Sequence, residues 1–165
     1  MNTDHIIRAF EEKDGRAVID IFNHYIENSF AAYAEKPVVY ETISIFKDMT
    51  RGYPFLVIET ADRFVAGFSF LRPFHRNGVF SRTAEITYFI RPEYTRKGYG
   101  KKLLNRMEKE AKRLFIDSIL ASISSLNPPS IAFHRKNGFF QCGCFKSVGK
   151  KFNRDFDMIW MQKMI

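Results

Sequence analysis
The residues of this chain with the clearest chemical potential form the run Thr95-Arg96-Lys97-Gly98-Tyr99-Gly100-Lys101, where two glycines stand among three cations. Glycine lets a backbone turn tightly and lets another molecule approach its N–H groups, while the cations attract an anion. A phosphate is the group such a loop could hold. Two further side chains could move protons. Glu85 is a carboxylate able to accept one, and His134 carries an imidazole whose ordinary pKa of about 6.5 suits proton exchange near neutrality.

The flanking elements must position these groups. Glu85-Ile86-Thr87-Tyr88-Phe89-Ile90 is rich in β-branched and aromatic residues and stops at Arg91-Pro92, as a strand would. From Leu103 the apolar residues fall at 103, 104, 107, 111, 114 and 115, the stripe of an amphipathic helix of about four turns. The glycine run therefore leads from a strand into a helix N-terminus, where unpaired N–H groups and the helix dipole favour an anion. Arg96, Lys97, Lys101 and Lys102 add full charges there. The run is neither of two other phosphate loops. No G-x-x-x-x-G-K-[ST] string occurs, and Gly98-Tyr99-Gly100 lacks the third glycine and the strand-helix-strand start of a dinucleotide fold. Local sequence alone also fits an ordinary strand-to-helix turn with solvated lysines.

A chain of 165 residues with 45% apolar content can bury its own core, so residues 1–165 read as a single domain. The only cysteines, Cys142 and Cys144, are too close for an ordinary disulfide and lack the second pair a zinc site needs, so no metal is expected and a reducing compartment is. Acidic Asp4, the lack of a signal-like apolar run and the lack of a membrane-length apolar stretch lead to a cytoplasmic protein with no membrane partner. The excess of 26 Lys and Arg over 18 Asp and Glu, a net charge of +8, favours a polyanionic partner, either nucleic acid or a phosphate-bearing cofactor.

Reading onward, Ile6 to Phe10 suits a first strand, and Asp14 is placed to cap a helix that aligns Val18, Ile21, Phe22 and Tyr25. A second helix carries Ile43, Phe46 and Met49 and ends at Gly52-Tyr53-Pro54. A hairpin of strands Phe55 to Glu59 and Phe64 to Phe70 follows, and Arg72 to Ser81 reads as a loop leading into the Glu85 strand. After the long helix, Ser118 to Ser124 alternates as a strand, Asn127-Pro128-Pro129-Ser130 starts a short helix, and Asn137-Gly138 ends it. Strands from Phe139 and over Phe152 to Met161 complete a mixed α/β plan. Trp160 and the eighteen phenylalanines are expected mostly in the core, and His24 and Tyr25 in packing or dimer contacts.

This order, with its basic R-x-G-x-G-type loop and a later Asn127-Pro128-Pro129-Ser130 to Asn137-Gly138-Phe139 segment, resembles the GNAT acetyltransferases. Within them it is most similar to the phosphinothricin and methionine sulfoximine N-acetyltransferase type. Ile21-Phe22-Asn23-His24-Tyr25, Thr83-Ala84-Glu85, Phe133-His134 and the tail Val148 to Gln162 carry that likeness. The resemblance implies a central, mostly antiparallel mixed sheet of about seven strands with about four helices. It implies acetyl-CoA in a V-shaped split between the Glu85 and Ser118 strands, its pyrophosphate on the amides of Arg96, Lys97, Gly98, Tyr99, Gly100 and Lys101. Backbone N–H groups of Tyr88, Phe89 and Ile90 would polarise the thioester carbonyl, and Asn127 would meet the pantetheine arm. The family loop usually opens on Gln or Arg where this chain has Thr95. Many close relatives carry an aromatic residue in the short stretch before the glutamate, where this chain has Ser81-Arg82, and an arginine a few residues earlier, which Arg76 matches only with a one-residue shift; Arg76 and Arg82 are the candidates to bind the acceptor.

The implied activity is acetylation of a small amino-acid-like amine, with Glu85 as general base and His134 either protonating the leaving thiolate or touching the cofactor arm. Acetylation of a protein N-terminus or a polyamine on the same fold is the alternative. A non-enzymatic nucleic-acid module lacks a reading motif, and its cations are accounted for by the phosphates of CoA. A homodimer is implied through the sheet edge and the first helices.

Overall fold
A computed structural model describes residues 5–165; Asp4 lies outside them. Strand β1 (His5–Ala9) leads to helices α1 (Gly15–Asn28) and α2 (Ile43–Met49). Strands β2 (Phe55–Thr60), β3 (Val65–Pro73) and β4 (Thr83–Ile90) follow, then α3 (Tyr99–Arg113), β5 (Ser118–Ser124), α4 (Pro128–Lys136), β6 (Phe140–Lys151) and β7 (Arg154–Met164). The seven strands form one sheet ordered β1-β2-β3-β4-β5-β7-β6. All neighbours are antiparallel except β4 and β5. The mixed α/β plan thus matches the expectation.

Strand alternation sends β2 and β3 side chains to two cores, which is why these strands are buried on both faces. Leu56, Ile58, Leu71, Ile86 and Ile119 pack with Leu103, Leu104 and Met107 of α3. Val57, Val65, Phe68 and Phe70 pack on the other face with Val18, Ile19 and Ile21 of α1 and Phe46 of α2.

Two local expectations are corrected. Asp14 does not cap α1; its carboxylate accepts two hydrogen bonds from Arg8 and one from the Glu11 N–H. Arg8 also bonds Glu59, so a buried three-charge cluster joins β1, β2 and the start of α1. Strand β3 runs past Phe70 to Pro73, because its pairing with β4 continues through Arg72↔Glu85, and this takes Arg72 out of the expected loop. Helix α3 starts at Tyr99, so the glycine run does lead into a helix N-terminus. Most of the phenylalanines are covered, as expected, with Phe46, Phe68, Phe70, Phe139 and Phe156 buried; Phe64, Phe74, Phe80, Phe115, Phe140, Phe145 and Phe152 are exposed, and Trp160 is only partly buried.

Candidate active site
Strands β4 and β5 pair only at Thr83↔Ser118, Ala84↔Ile119 and Glu85↔Leu120. Both strands continue beyond that point, so the sheet opens into a V from Glu85 onward. A cavity of about 860 Å³ fills the opening and reaches both faces of the sheet. The Arg91 N–H donates to Ala66 of β3, and alternation along β4 then turns the N–H groups of Tyr88 and Ile90 toward the V. The Phe89 N–H is turned toward β3 by the same alternation, which removes it from the expected set of three. Tyr25 donates to the Ile90 carbonyl at 2.5 Å, so α1 closes the open end of β4.

On the α3 and α4 face, the loop after β4 has two residues in left-handed conformation, Arg96 (φ 60) and Gly98 (φ 82). Left-handed residues of this kind are the ones that build anion-binding turns. The first helical bond of α3 runs from the Lys102 N–H to the Gly98 carbonyl, leaving the Tyr99, Gly100 and Lys101 N–H groups unused by the helix. A Cβ on Gly98 would meet nothing within 4 Å, and one on Gly100 would meet only the Phe133 ring at 3.5 Å. There is therefore open space over the amides. Arg96, Gly98, Tyr99, Gly100 and Lys101 border the cavity, whereas Lys97 turns its ammonium over the Tyr94 ring. Asn127 caps α4 through Ser130 and still borders the cavity.

His134 lies deep in this face, 3% exposed. Its Nδ1 is 2.7 Å from the Ser130 carbonyl, which only accepts, so Nδ1 carries the proton and Nε2 accepts from the Tyr88 hydroxyl at 2.5 Å. Burial pushes the imidazole pKa down to about 4, against a smaller upward pull from the Ser130 bond. Burial also pushes the Tyr88 phenol well above its ordinary value. At neutral pH the imidazole is thus uncharged with no proton on Nε2. In that state Nε2 has no proton of its own to give a thiolate, while the ring still borders the cavity.

The depressed pKa also carries a stability prediction. Between pH 6.5 and about 4 the unfolded chain binds a proton at His134 that the folded chain does not, so stability should fall as the pH drops through that window and level off below it. Urea unfolding across that range should show a slope that His134→Gln flattens; identical pH profiles would refute the assignment.

On the α1 and α2 face stands Glu85, 6% exposed and on the same side of β4 as Thr87 and Phe89. Arg72 is its cross-strand partner and donates from Nη2 to Oε2 at 2.6 Å, while Ser122 of β5 donates to Oε1 at 3.1 Å. Each carboxylate oxygen keeps a lone pair for a further donor. Tyr33, from the segment after α1, borders the cavity with Ser122; burial, ahead of the nearby Glu85 charge, raises its hydroxyl pKa to about 12, with Ser122 pulling the other way. Arg82 lies away from this cluster, bound to Asp117, and Arg76 is exposed in the loop after β3. The arginine beside Glu85 is Arg72, which the sequence reading missed by ending β3 too early. Its one signal was period-two spacing onward from Phe68 and Phe70.

A family model for the acetyltransferase (GNAT) domain matches residues 7–160. The chain belongs to the GNAT acetyltransferases. Among curated GNAT relatives, the L-methionine sulfoximine/L-methionine sulfone acetyltransferase of Salmonella typhimurium is 30% identical over 158 residues, 94% of this chain and 92% of the relative. A phosphinothricin acetyltransferase from Sinorhizobium meliloti, solved in complex with acetyl-CoA, superposes with a TM-score of 0.92 at 28% identity over 99% of this chain and 89% of its own. A ribosomal-protein-alanine N-acetyltransferase from Brucella melitensis superposes at 0.90 with 33% identity, covering 97% and 99%. The GNAT fold and the acetyl-CoA-dependent N-acetyltransferase activity that the motifs implied are those of this family. Among the described residues no helix is long and apolar enough to cross a membrane, and no group of three or more His, Cys, Asp or Glu is gathered.

Proposed function
We propose that this enzyme moves the acetyl group of acetyl-CoA to the α-amine of a small amino-acid-like acceptor of the phosphinothricin or methionine sulfoximine and sulfone type. The observation that carries the acceptor class is the Glu85–Arg72 pair in the α1 and α2 half of the cavity. A carboxylate that can take a proton from an ammonium stands there beside a guanidinium with donors left for an acidic group. The names of the curated relatives point the same way.

The amide loop at residues 96–101 and the open N–H groups of Tyr88 and Ile90 fit acetyl-CoA: the loop would hold its pyrophosphate, and Asn127 and Phe133 would flank its arm. When bound there, the cofactor supplies an activated acyl carbonyl. The chain's own residues do the rest. Arg72 holds the acceptor's acidic group and counterbalances Glu85. Glu85 accepts the ammonium proton, directly or through one water, and leaves the amine lone pair free to attack. The Tyr88 and Ile90 N–H groups face the position where negative charge develops on the carbonyl oxygen. His134 serves as a neutral acceptor that fixes the Tyr88 hydroxyl at the cleft wall.

The decisive assay is release of free CoA from acetyl-CoA with a panel of amines: methionine sulfone, methionine sulfoximine, phosphinothricin, polyamines and short peptides. Turnover of the first three and not the rest is expected. A peptide as the sole acceptor would favour protein N-terminal acetylation, the reading to which the Brucella likeness points. The enzyme is further proposed to work in the reducing cytoplasm, in keeping with the free thiols of Cys142 and Cys144, and as a homodimer. Strand β6 is one edge of the sheet and exposes Phe140, Phe145 and Val148, a surface suited to a second copy. Light scattering that finds only monomer at micromolar concentration would remove the dimer.

A further inference from the structure
The acceptor half of the cavity is walled in part by a segment without regular structure, and that segment is pinned from the far end of the sheet. Ser29, Ala31, Ala32, Tyr33 and Ala34 all border the cavity. The carbonyls of Ser29 and Ala32 point away from solvent and both accept from the ammonium of Lys151, each at 2.8 Å. Lys151 is the last residue of β6, only 4% exposed, and its third side is closed by the Phe152 ring, 4.8 Å from Nζ. Among the described residues no carboxylate pairs with it, and burial lowers its pKa. A buried ammonium is costly to desolvate, so its retention here calls for a task.

The rest of the β6–β7 turn grips the same segment. Phe152 meets Phe30 edge-on at 5.5 Å, Arg154 lies over the Phe30 ring at 5.4 Å, and Phe156 stacks on Tyr33 at 5.8 Å with an interplanar angle of 11°. Tyr33 borders the same cavity as Ser122, whose hydroxyl donates to Glu85. The contacts of Lys151 therefore fix the backbone at 29–34 and, through Phe156, the Tyr33 ring that stands on the cavity wall shared with the proposed base.

We propose that Lys151 is a positioning residue for acceptor binding: it pins the 29–34 segment so that Tyr33 and the alanines at 31, 32 and 34 form a close-fitting wall opposite Arg72 and Glu85. This rests on the reading of the α1 and α2 half as the acceptor site. Removing the ammonium leaves two buried carbonyls without donors, and the segment must shift to find water. The wall loosens. The cofactor loop at residues 96–101 is built from other elements and shares none of these contacts.

The test compares full-length wild type with Lys151→Met and Lys151→Arg, using every amine of the panel that the wild type accepts. In Lys151→Met the KM for the acceptor should rise about tenfold or more while the KM for acetyl-CoA stays within about twofold. The preference for small over bulky acceptors should shrink as well. Amide exchange should quicken at residues 29–34 and stay unchanged in α3 and β4. Lys151→Arg, which keeps the donors, should restore part of the acceptor KM. An unaltered acceptor KM and selectivity in a folded Lys151→Met protein would overturn the proposal. So would equal losses toward both substrates, or failure of both variants to fold, since Lys151 would then be a determinant of the fold. Should the wild type accept only peptides, the amino-acid reading fails while the effect of Lys151 is still read from the peptide KM.

Discussion
Glu85→Gln is expected to lower the rate with a competent amine by roughly 100-fold or more at neutral pH while leaving acetyl-CoA affinity in place. The amide keeps the size of the carboxylate; its carbonyl oxygen can accept from Arg72 while its NH2 donates to the oxygen of a turned Ser122 hydroxyl, so the pocket survives. What disappears is the group that accepts the ammonium proton. Raising the pH should recover part of the loss, because more of the acceptor is then already neutral and less depends on a base. Steady-state rates from pH 6 to 10 beside calorimetric titration with acetyl-CoA separate the two effects. A variant as fast as wild type at every pH would make the carboxylate structural. A variant that no longer binds acetyl-CoA would place Glu85 in the cofactor site.

The second large effect is expected at the amide loop. Gly98 has φ +82, a conformation that costs a side-chain-bearing residue about 1–2 kcal/mol and a β-branched one more. Gly98→Val should therefore reshape the turn and cost at least about tenfold in acetyl-CoA affinity, the equivalent of about 1.4 kcal/mol. Gly100 tests a different cause. Its Cβ position touches only Phe133, at ordinary contact distance, so α3 accepts a side chain there without strain. Gly100→Val should keep the melting temperature of the wild type and still lose binding, since the added methyls would occupy the space proposed for the pyrophosphate. Acetyl-CoA affinity that survives both substitutions would move the phosphate site away from residues 96–101.

The two sites differ in how they could be read from sequence. The cofactor loop is local: Arg96 to Lys101 lie between a β-branched strand and an amphipathic helix, and the constraints on them come from residues within one turn. Glycine, cations and a helix start announce such a site in linear order. The proposed acceptor site is assembled from β3, β4, β5 and the segment after α1, so no spacing in the chain relates Arg72, Glu85, Ser122 and Tyr33 to one another. Glu85 stood out because it sits on a strand face with Thr87 and Phe89. Arg72 did not, because Pro73 and the polar residues after it look like a loop until pairing with β4 is known.

By itself the sequence determined the order of strands and helices and the basic glycine turn that opens α3, because each follows from periodicity and from backbone preferences of neighbouring residues. The tertiary structure alone decided three matters. Parallel pairing of β4 with β5 ends at Glu85, which opens the cleft at the level of the carboxylate. Burial of His134 against Ser130 and Tyr88 strips it of charge at neutral pH, a property of its surroundings that its residue type does not carry. Lys151, which reads in sequence as one more surface cation, is turned inward by the β6–β7 turn to hold two carbonyls of a segment more than a hundred residues earlier in the chain. Long-range packing sets the dielectric and the partners of each charged group, and those determine what its chemistry becomes.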